Sequence, residues 1–460
     1  MRSAWRRVMA TAAAAAVLTA VLAAPGAAAD PAVSTGSGIP TGPWASTGPQ
    51  VEVEVPGPEH ANAAGSGHTR VPREGRHRPS PRLSAAGEAA DGAVTELLDN
   101  GPTGDRLDIV VVGDGYTATE LDRFHTDAEE IWAELAGVEP YTTYQGLFNV
   151  WAVDAVSNQS GVSGDPAPGD VRDTALGSFF WCDGIERLLC VDRTKVDGYA
   201  AKAPEADLVV VLANSAKYGG AGYNEPSETL GYEGISTASA GNEKSGQVAI
   251  HETGHSLGKL ADEYFYPDQP GFEEYTGPEP ADSNISVLTA GDMAGQRAKW
   301  HRWLGEQSPD GGAVGAYEGG GYFATGLYRP TDDSLMRSLG RPFNLPGVEA
   351  MIAGFHRHAR LVTALTPAGR LLRLRDTARV SVPRLTGPDG HRLKVRWHLD
   401  GRELKPLAGR TRVRVTDLVL WLLDLRTHKL SVTVENHTAA VRDPEIAKTL
   451  TSTVGWNVRL

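Results

Sequence analysis

Hydrophobic and polar positions divide this chain of 460 residues into four textures. Arg2, Arg6 and Arg7 precede an Ala/Val/Leu run from about Val8 to Ala24, which Pro25-Gly26 closes before the small residues Ala27-Ala28-Ala29. A short apolar run with basic residues before it and a small-residue site after it predicts an export signal, cleaved after Ala29, rather than a membrane anchor. No other stretch is long and apolar enough to span a bilayer, so stable membrane insertion is not expected. Residues 30–92 are rich in Pro, Gly, Ala and Ser, and burial of so few large apolar groups cannot offset the entropy of ordering them. This second texture reads as a flexible linker or propeptide, with His60, His68 and His77 solvated.

The third texture, residues 93–366, alternates strands with helices. Leu107-Asp108-Ile109-Val110-Val111-Val112 is a β-branched run ending at Gly113, the pattern of a buried strand. Thr117 to Glu120 forms a capping box, and Leu121, Phe124, Ala128, Ile131, Trp132 and Leu135 then recur at helical spacing up to Gly137. Phe148 to Val153 and Asp207 to Ala213 supply further strands, which together predict an α/β (α+β) core. Between Tyr218 and Gly246 the chain is Gly-rich, with one extended piece near Gly234 to Ala238. That piece, around Ile235, is expected to be an edge strand that holds an extended peptide by main-chain pairing. A second helix is predicted over Val348 to Leu365.

After Pro367 the texture becomes all-β: Val380 to Val382, Leu393 to Leu399, Val413 to Leu418, Leu430 to Val434 and Ala439 to Arg442. Asp400-Gly401 signals a hairpin turn, and the whole of 367–460 predicts a small immunoglobulin-like β-sandwich. Formal net charge is −13 and falls to about −16 without the signal arginines, but it is uneven. From Arg370 to Leu460 there are 18 Lys/Arg against 9 Asp/Glu. The acidic majority argues against a nucleic-acid partner. The basic C-terminal part is a candidate for contact with an anionic cell surface, against the simpler reading of a solvated β-face. The two cysteines, Cys182 and Cys190, are expected to form one local disulfide in an exported chain, the alternative being two reduced thiols.

The chemistry is concentrated in His251-Glu252-Thr253-Gly254-His255. On a helix, residues four apart share a face, so both imidazoles can reach one cation while Glu252 stays beside it without ligating. That is the arrangement of a zinc-dependent peptidase, with Zn2+ as the cofactor and a protein or peptide as substrate. In the continuation Ser256-Leu257-Gly258-Lys259-Leu260-Ala261-Asp262-Glu263-Tyr264, Gly258 can end the helix in a left-handed conformation and turn the chain back. A third ligand then comes from Asp262, with Glu263 as the competing carboxylate. Asp165 and Asp170 form a weaker acidic pair in a Gly/Pro loop, conceivable for calcium.

Residues from about Leu107 to Leu365 resemble the IgA peptidase family of secreted zinc endopeptidases (metallopeptidase family 64). The matching elements are Val112 to Tyr116, Ser160 to Ser163, Thr174 to Gly177, Asn214-Ser215, Tyr218 to Gly220, His251 to Tyr264, Tyr328-Arg329-Pro330 and Met336-Arg337. The resemblance implies a metzincin-like catalytic domain, with Asp262 as third zinc ligand and Met336 in a turn beneath the metal. Metzincins place that ligand three residues after the glycine, where this chain has Ala261, so the turn here is one residue longer. In the implied mechanism Glu252 takes a proton from the attacking water and passes it to the departing amine. Tyr328 would donate a second hydrogen bond to the oxyanion, and Tyr264 would pack against the turn carrying Asp262. The family name does not fix immunoglobulin as the substrate. The alternative reading is a non-catalytic extracellular binding protein that retains the fold, against which the intact Glu252 weighs.

Overall fold

The computed structural model describes residues 49–55, 67–74, 83–267, 270–386, 393–422, 424 and 426–459. The expected export signal, His60 and His77 lie outside the described residues. Eight strands make the main sheet: β1 (Gln50–Val55), β2 (Gly67–Pro72), β3 (Val94–Leu98), β4 (Leu107–Asp114), β5 (Phe148–Val153), β6 (Leu208–Ala213), β7 (Gly220–Tyr223) and β8 (Ile235–Ser239). Their order across the sheet is β2-β1-β7-β8-β6-β4-β5-β3. The central run β5-β4-β6-β8 is parallel, and both margins are antiparallel.

The parallel centre follows from continuous apolar runs, since all eight residues of β4 are buried. Ile109, Val111, Val210 and Leu212 face Phe124, Ala128 and Ile131 of the helix Leu121–Ala136, together with Ala249 and Ile250 of the helix Ser245–Ser256. Val110, Val112, Val209 and Val211 face the opposite layer, with Leu176, Val196 and Ala200. The result is a mixed α/β core covered on both faces. The Thr117 to Glu120 box acts just ahead of its helix: the Glu120 carboxylate accepts from the Thr117 amide at 2.9 Å and from its hydroxyl at 2.8 Å.

In the main sheet, two segments differ from the sequence reading. Part of the expected linker, β1 and β2, forms a hairpin in the main sheet. The reason is the alternation Val51, Val53, Val55, which with Val71 enters the core facing Val110 and Val209. The predicted edge strand around Ile235 is extended, but it is interior, flanked by β6 and β7 with all five residues buried. The edge of the sheet without its hairpin would be β7.

The helix expected over 348–365 runs Leu345–His358, capped by the Asn344 side-chain oxygen Oδ1, which accepts from Gly347 N at 2.9 Å. It stops earlier because Ala359 is extended and Thr363–Ala364 pairs with Thr377–Ser381. Downstream lie a three-stranded sheet and a five-stranded sheet. Asp400-Gly401 makes the expected tight turn, both residues having φ near +50° to +80°. Ala439 to Arg442 is not a strand. It leads into the short helix Pro444–Thr449, and a long strand, Thr451–Val458, pairs with His428–Glu435 and Leu371–Leu372 instead. Trp397, Val432 and Trp456 belong to the same apolar cluster as Ile352 and Phe355. Glu349 accepts from the Arg442 and Asp443 amides at 2.5 and 2.6 Å, and Asn436 bonds the Tyr144 hydroxyl at 2.8 Å. Among the described residues no helix is long and apolar enough to cross a membrane.

Candidate metal centre

The helix Ser245–Ser256 carries His251 and His255 on one face, their ring centroids 4.9 Å apart. The Nδ1 atom of His251 bonds the Leu335 carbonyl at 3.1 Å, and that of His255 bonds the Leu260 carbonyl at 2.6 Å. A carbonyl only accepts, so both Nδ1 atoms carry hydrogen and the Nε2 atoms are the ones left to ligate a cation. Those Nε2 atoms face each other at 3.1 Å. The Asp262 Oδ1 atom lies 3.1 and 3.5 Å from them, and the Glu54 carboxylate lies 3.3 and 2.8 Å from them. Donor separations of this size match the edges of a tetrahedron, about 3.3 Å for metal–ligand bonds of about 2.0 Å. Among the described residues, Glu54, His251, His255 and Asp262 are the one such convergent group, so the Asp165–Asp170 loop supplies none.

Asp262 arrives by a turn that differs from the expected one. Gly258 does not take the left-handed conformation; Lys259 does, at φ 50°. Gly258 is needed for closeness instead, because a Cβ there would lie 2.6 Å from the Gly254 carbonyl and 2.8 Å from Met351 Sδ. Asn284 then clamps Ala261 through both its amide and its carbonyl at 2.8 Å. Glu263 turns away from the imidazoles and accepts from Ser334, Asn284 and Asn344. Burial nonetheless pushes its carboxyl up to about 7. Beneath the helix, Gly254 leaves room for Met336, whose sulfur would lie 2.6 Å from a Cβ at that position. The Met336 carbonyl also accepts from the Glu263 amide at 2.8 Å.

Glu252 is wholly buried, and among the described residues neither of its carboxylate oxygens has a hydrogen-bond partner. Burial and the neighbouring Glu54 charge push its proton affinity well up. Burial would lower both histidines, yet the Asp262 and Glu54 carboxylates raise His251 to about 10 and His255 in the same direction. Burial alone would raise Asp262, but the two imidazoles hold it well below the usual carboxylate range. Three carboxylates around two inward-facing imidazole Nε2 atoms form a buried pocket that favours positive charge. That donor set fits a divalent cation.

Tyr328 lies on the strand Phe323–Arg329, where its main chain pairs with Ser286, and among the described residues its hydroxyl bonds no member of the cluster. The phenol that reaches the cluster is Tyr322, which donates to Asp262 Oδ2 at 2.5 Å and meets His68 Nδ1 at 3.2 Å. It projects from the turn after Gly319-Gly320-Gly321, with φ 74°. Tyr264 packs with its ring nearly parallel to His251, 6.4 Å away. Cys182 and Cys190 are joined in a disulfide. Sequence reasoning missed Glu54, Tyr322 and Gly222. The last lies on β7 opposite Glu54, so close to Glu252 that a Cβ would sit 2.0 Å from Oε2. The signal for Glu54 was the alternation Val51-Glu52-Val53-Glu54-Val55, which is strand-like in an otherwise unpatterned stretch.

A sequence model of the IgA peptidase M64 family matches residues 95–311 and 307–355. Among curated proteins none matches the chain. The matched span contains the helix of His251 and His255, Asp262, Tyr322 and Met336, but neither Glu54 nor the C-terminal sheets.

Proposed function

The chain belongs to the IgA peptidase M64 family, hence to the metallopeptidases that act on proteins or peptides, and from that premise we propose a secreted zinc endopeptidase. The observation that carries this reading is the pair of imidazole Nε2 atoms facing each other at 3.1 Å beside the Asp262 carboxylate. His251, His255 and Asp262 would hold the zinc ion. When bound, zinc supplies Lewis acidity, polarising a peptide carbonyl and making water nucleophilic near neutral pH.

The chain's own groups do the rest. Glu252, with no competing hydrogen bond, takes the proton of the attacking water and delivers it to the departing amine. Its burial raises its affinity for that proton and so suits the acceptance step. The Leu335 and Leu260 carbonyls fix the orientation of the two imidazoles. Tyr322 occupies the outer oxygen of Asp262, leaving Oδ1 toward the imidazoles. The glycine-lined Met336 turn under the helix and the chain reversal to Asp262 support a metzincin-like catalytic domain with a turn one residue longer. We read the two C-terminal sheets as an immunoglobulin-like accessory module, and the first 29 residues as the export signal.

Elemental analysis of the purified chain tests the reading. One zinc per chain is expected, largely lost in Asp262→Ala and retained in Glu252→Ala. Chelator-sensitive cleavage of an unfolded protein should vanish in Glu252→Ala. No bound transition metal, and no proteolysis on adding one, would overturn it.

A further inference from the structure

The Glu54 carboxylate has no place in the chemistry above, yet it is completely buried and closer to His255 Nε2, at 2.8 Å, than Asp262 is. It arrives on β1, which pairs antiparallel with β7 through Glu54 opposite Gly222. Asn224 at the end of β7 donates to Glu54 Oε2 at 3.2 Å, and Ser256 at the end of the His251 helix donates to Asn224 at 3.0 Å. β1 thus runs along the sheet margin next to the cluster, with its main chain on the strand that would otherwise be an open edge.

An open strand edge beside a peptidase centre is the natural docking place for an extended polypeptide, gripped by main-chain pairing. β7 is suited to it, because Gly220-Ala221-Gly222 offers backbone with almost no side chain in the way. We propose that β1 is an intramolecular occupant of this peptide-binding edge and that Glu54 fills the one donor position left beside His251, His255 and Asp262, so that the chain folds as a latent peptidase. This rests on the metallopeptidase reading above. While β1 is in place, a substrate can reach neither the edge nor the position that a scissile carbonyl or water must take.

The occupant has a defined extent. The hairpin is held by β7, by the Asn224–Glu54 and Tyr322–His68 contacts, by the Thr69 to Asp183 bond and by Arg73 on Glu228. The chain after it is anchored separately: Asp91 accepts from Val156 N and the Tyr199 hydroxyl, and Gly92 N bonds the Asp154 carbonyl. The hairpin is therefore the separable piece, and residues 83–92 belong to the body.

The test uses the full chain loaded with cobalt(II), whose visible spectrum reports its ligands, and acetohydroxamate, a small chelating anion, as probe. The native chain should keep its spectrum as acetohydroxamate is added. Glu54→Ala should shift at concentrations about tenfold lower or more, since an internal carboxylate competes at an effective concentration in the millimolar range or above. Glu54→Gln should fall between the two, and zinc-loaded Glu54→Ala should hydrolyse an unfolded protein at least about tenfold faster than the native chain. If acetohydroxamate at about millimolar concentration shifts the native cobalt spectrum, the latency proposal is overturned while the metal centre stands. The native titration decides this even if the variants do not fold. Cobalt bound by neither form would remove the metal centre itself, and the proposal with it.

Discussion

Gly222→Ala addresses the proposed base, Glu252, without replacing any of the candidate metal donors. The added methyl would start 2.0 Å from Glu252 Oε2 and 3.1 Å from its carboxyl carbon. Real Cβ contacts essentially never fall below 3.0 Å, so the oxygen must withdraw by at least 1 Å. β7 cannot retreat instead, because it is hydrogen-bonded to β8 along all four residues and β8 is interior. A misplacement of about 1 Å in a reacting group costs on the order of a hundredfold in rate. The expected result is kcat lower by about a hundredfold, KM within about threefold and zinc content unchanged. Because Gly222 also faces Glu54, the comparison is made in the native chain and again in the Glu54→Ala background. Steady-state hydrolysis of a fluorogenic peptide and elemental analysis supply the readings. A Gly222→Ala chain that keeps its zinc and turns over within about twofold of its parent would refute Glu252 as the proton carrier held against β7.

Two further outcomes are expected. Asp108, buried on β4, has its carboxyl pushed up to about 6 by burial, against the lowering effect of bonds from Trp151 and Asn149. A raised carboxyl favours the folded state at low pH and loses that advantage as pH rises from its unfolded value of about 4 through about 6. Native stability should therefore drop by about 2 kcal/mol between pH 4.5 and 7.5 relative to Asp108→Asn, and guanidinium midpoints showing the same gap at both pH values would refute it. Tyr322→Phe removes the hydroxyl on Asp262 Oδ2 and should weaken zinc binding by about tenfold to a hundredfold in a competitive chelator titration. Unchanged affinity would mean that Tyr322 does not position the carboxylate.

The parts of this molecule that were legible in the sequence are those set by local periodicity. The buried run Leu107 to Val112, the amphipathic helix from Leu121 and the two histidines four apart all announce themselves within one or two turns of chain. The turn to Asp262 was legible in outcome but not in means, because Gly258 is required by Met351 and the Gly254 carbonyl rather than by its own φ. Glu54 was hidden because its significance lies in a pairing across 168 positions, with Gly222, and its flanking residues are of low complexity. The edge strand was misplaced for a related reason. Which of two adjacent extended pieces is outermost depends on what a distant segment does at the sheet margin. Tyr322 and Tyr328 differ only in which end of one glycine-rich hairpin points at the cluster, and no spacing rule distinguishes them.

The apolar cluster that runs from Ile352 and Phe355 into Trp397 and Trp456 bears on how this protein can be dissected. The family match ends at Phe355, three residues before the helix Leu345–His358 does, and that invites a shortened gene stopping there. Such a product would bare the helix that backs the segment of His251 and His255 and strip Glu349 of its two amide partners, Arg442 and Asp443. Similarity marks inherited sequence, whereas solubility follows the closure of a shared interior. For crystallisation or engineering, the shortest workable gene product extends through the strand Thr451–Val458.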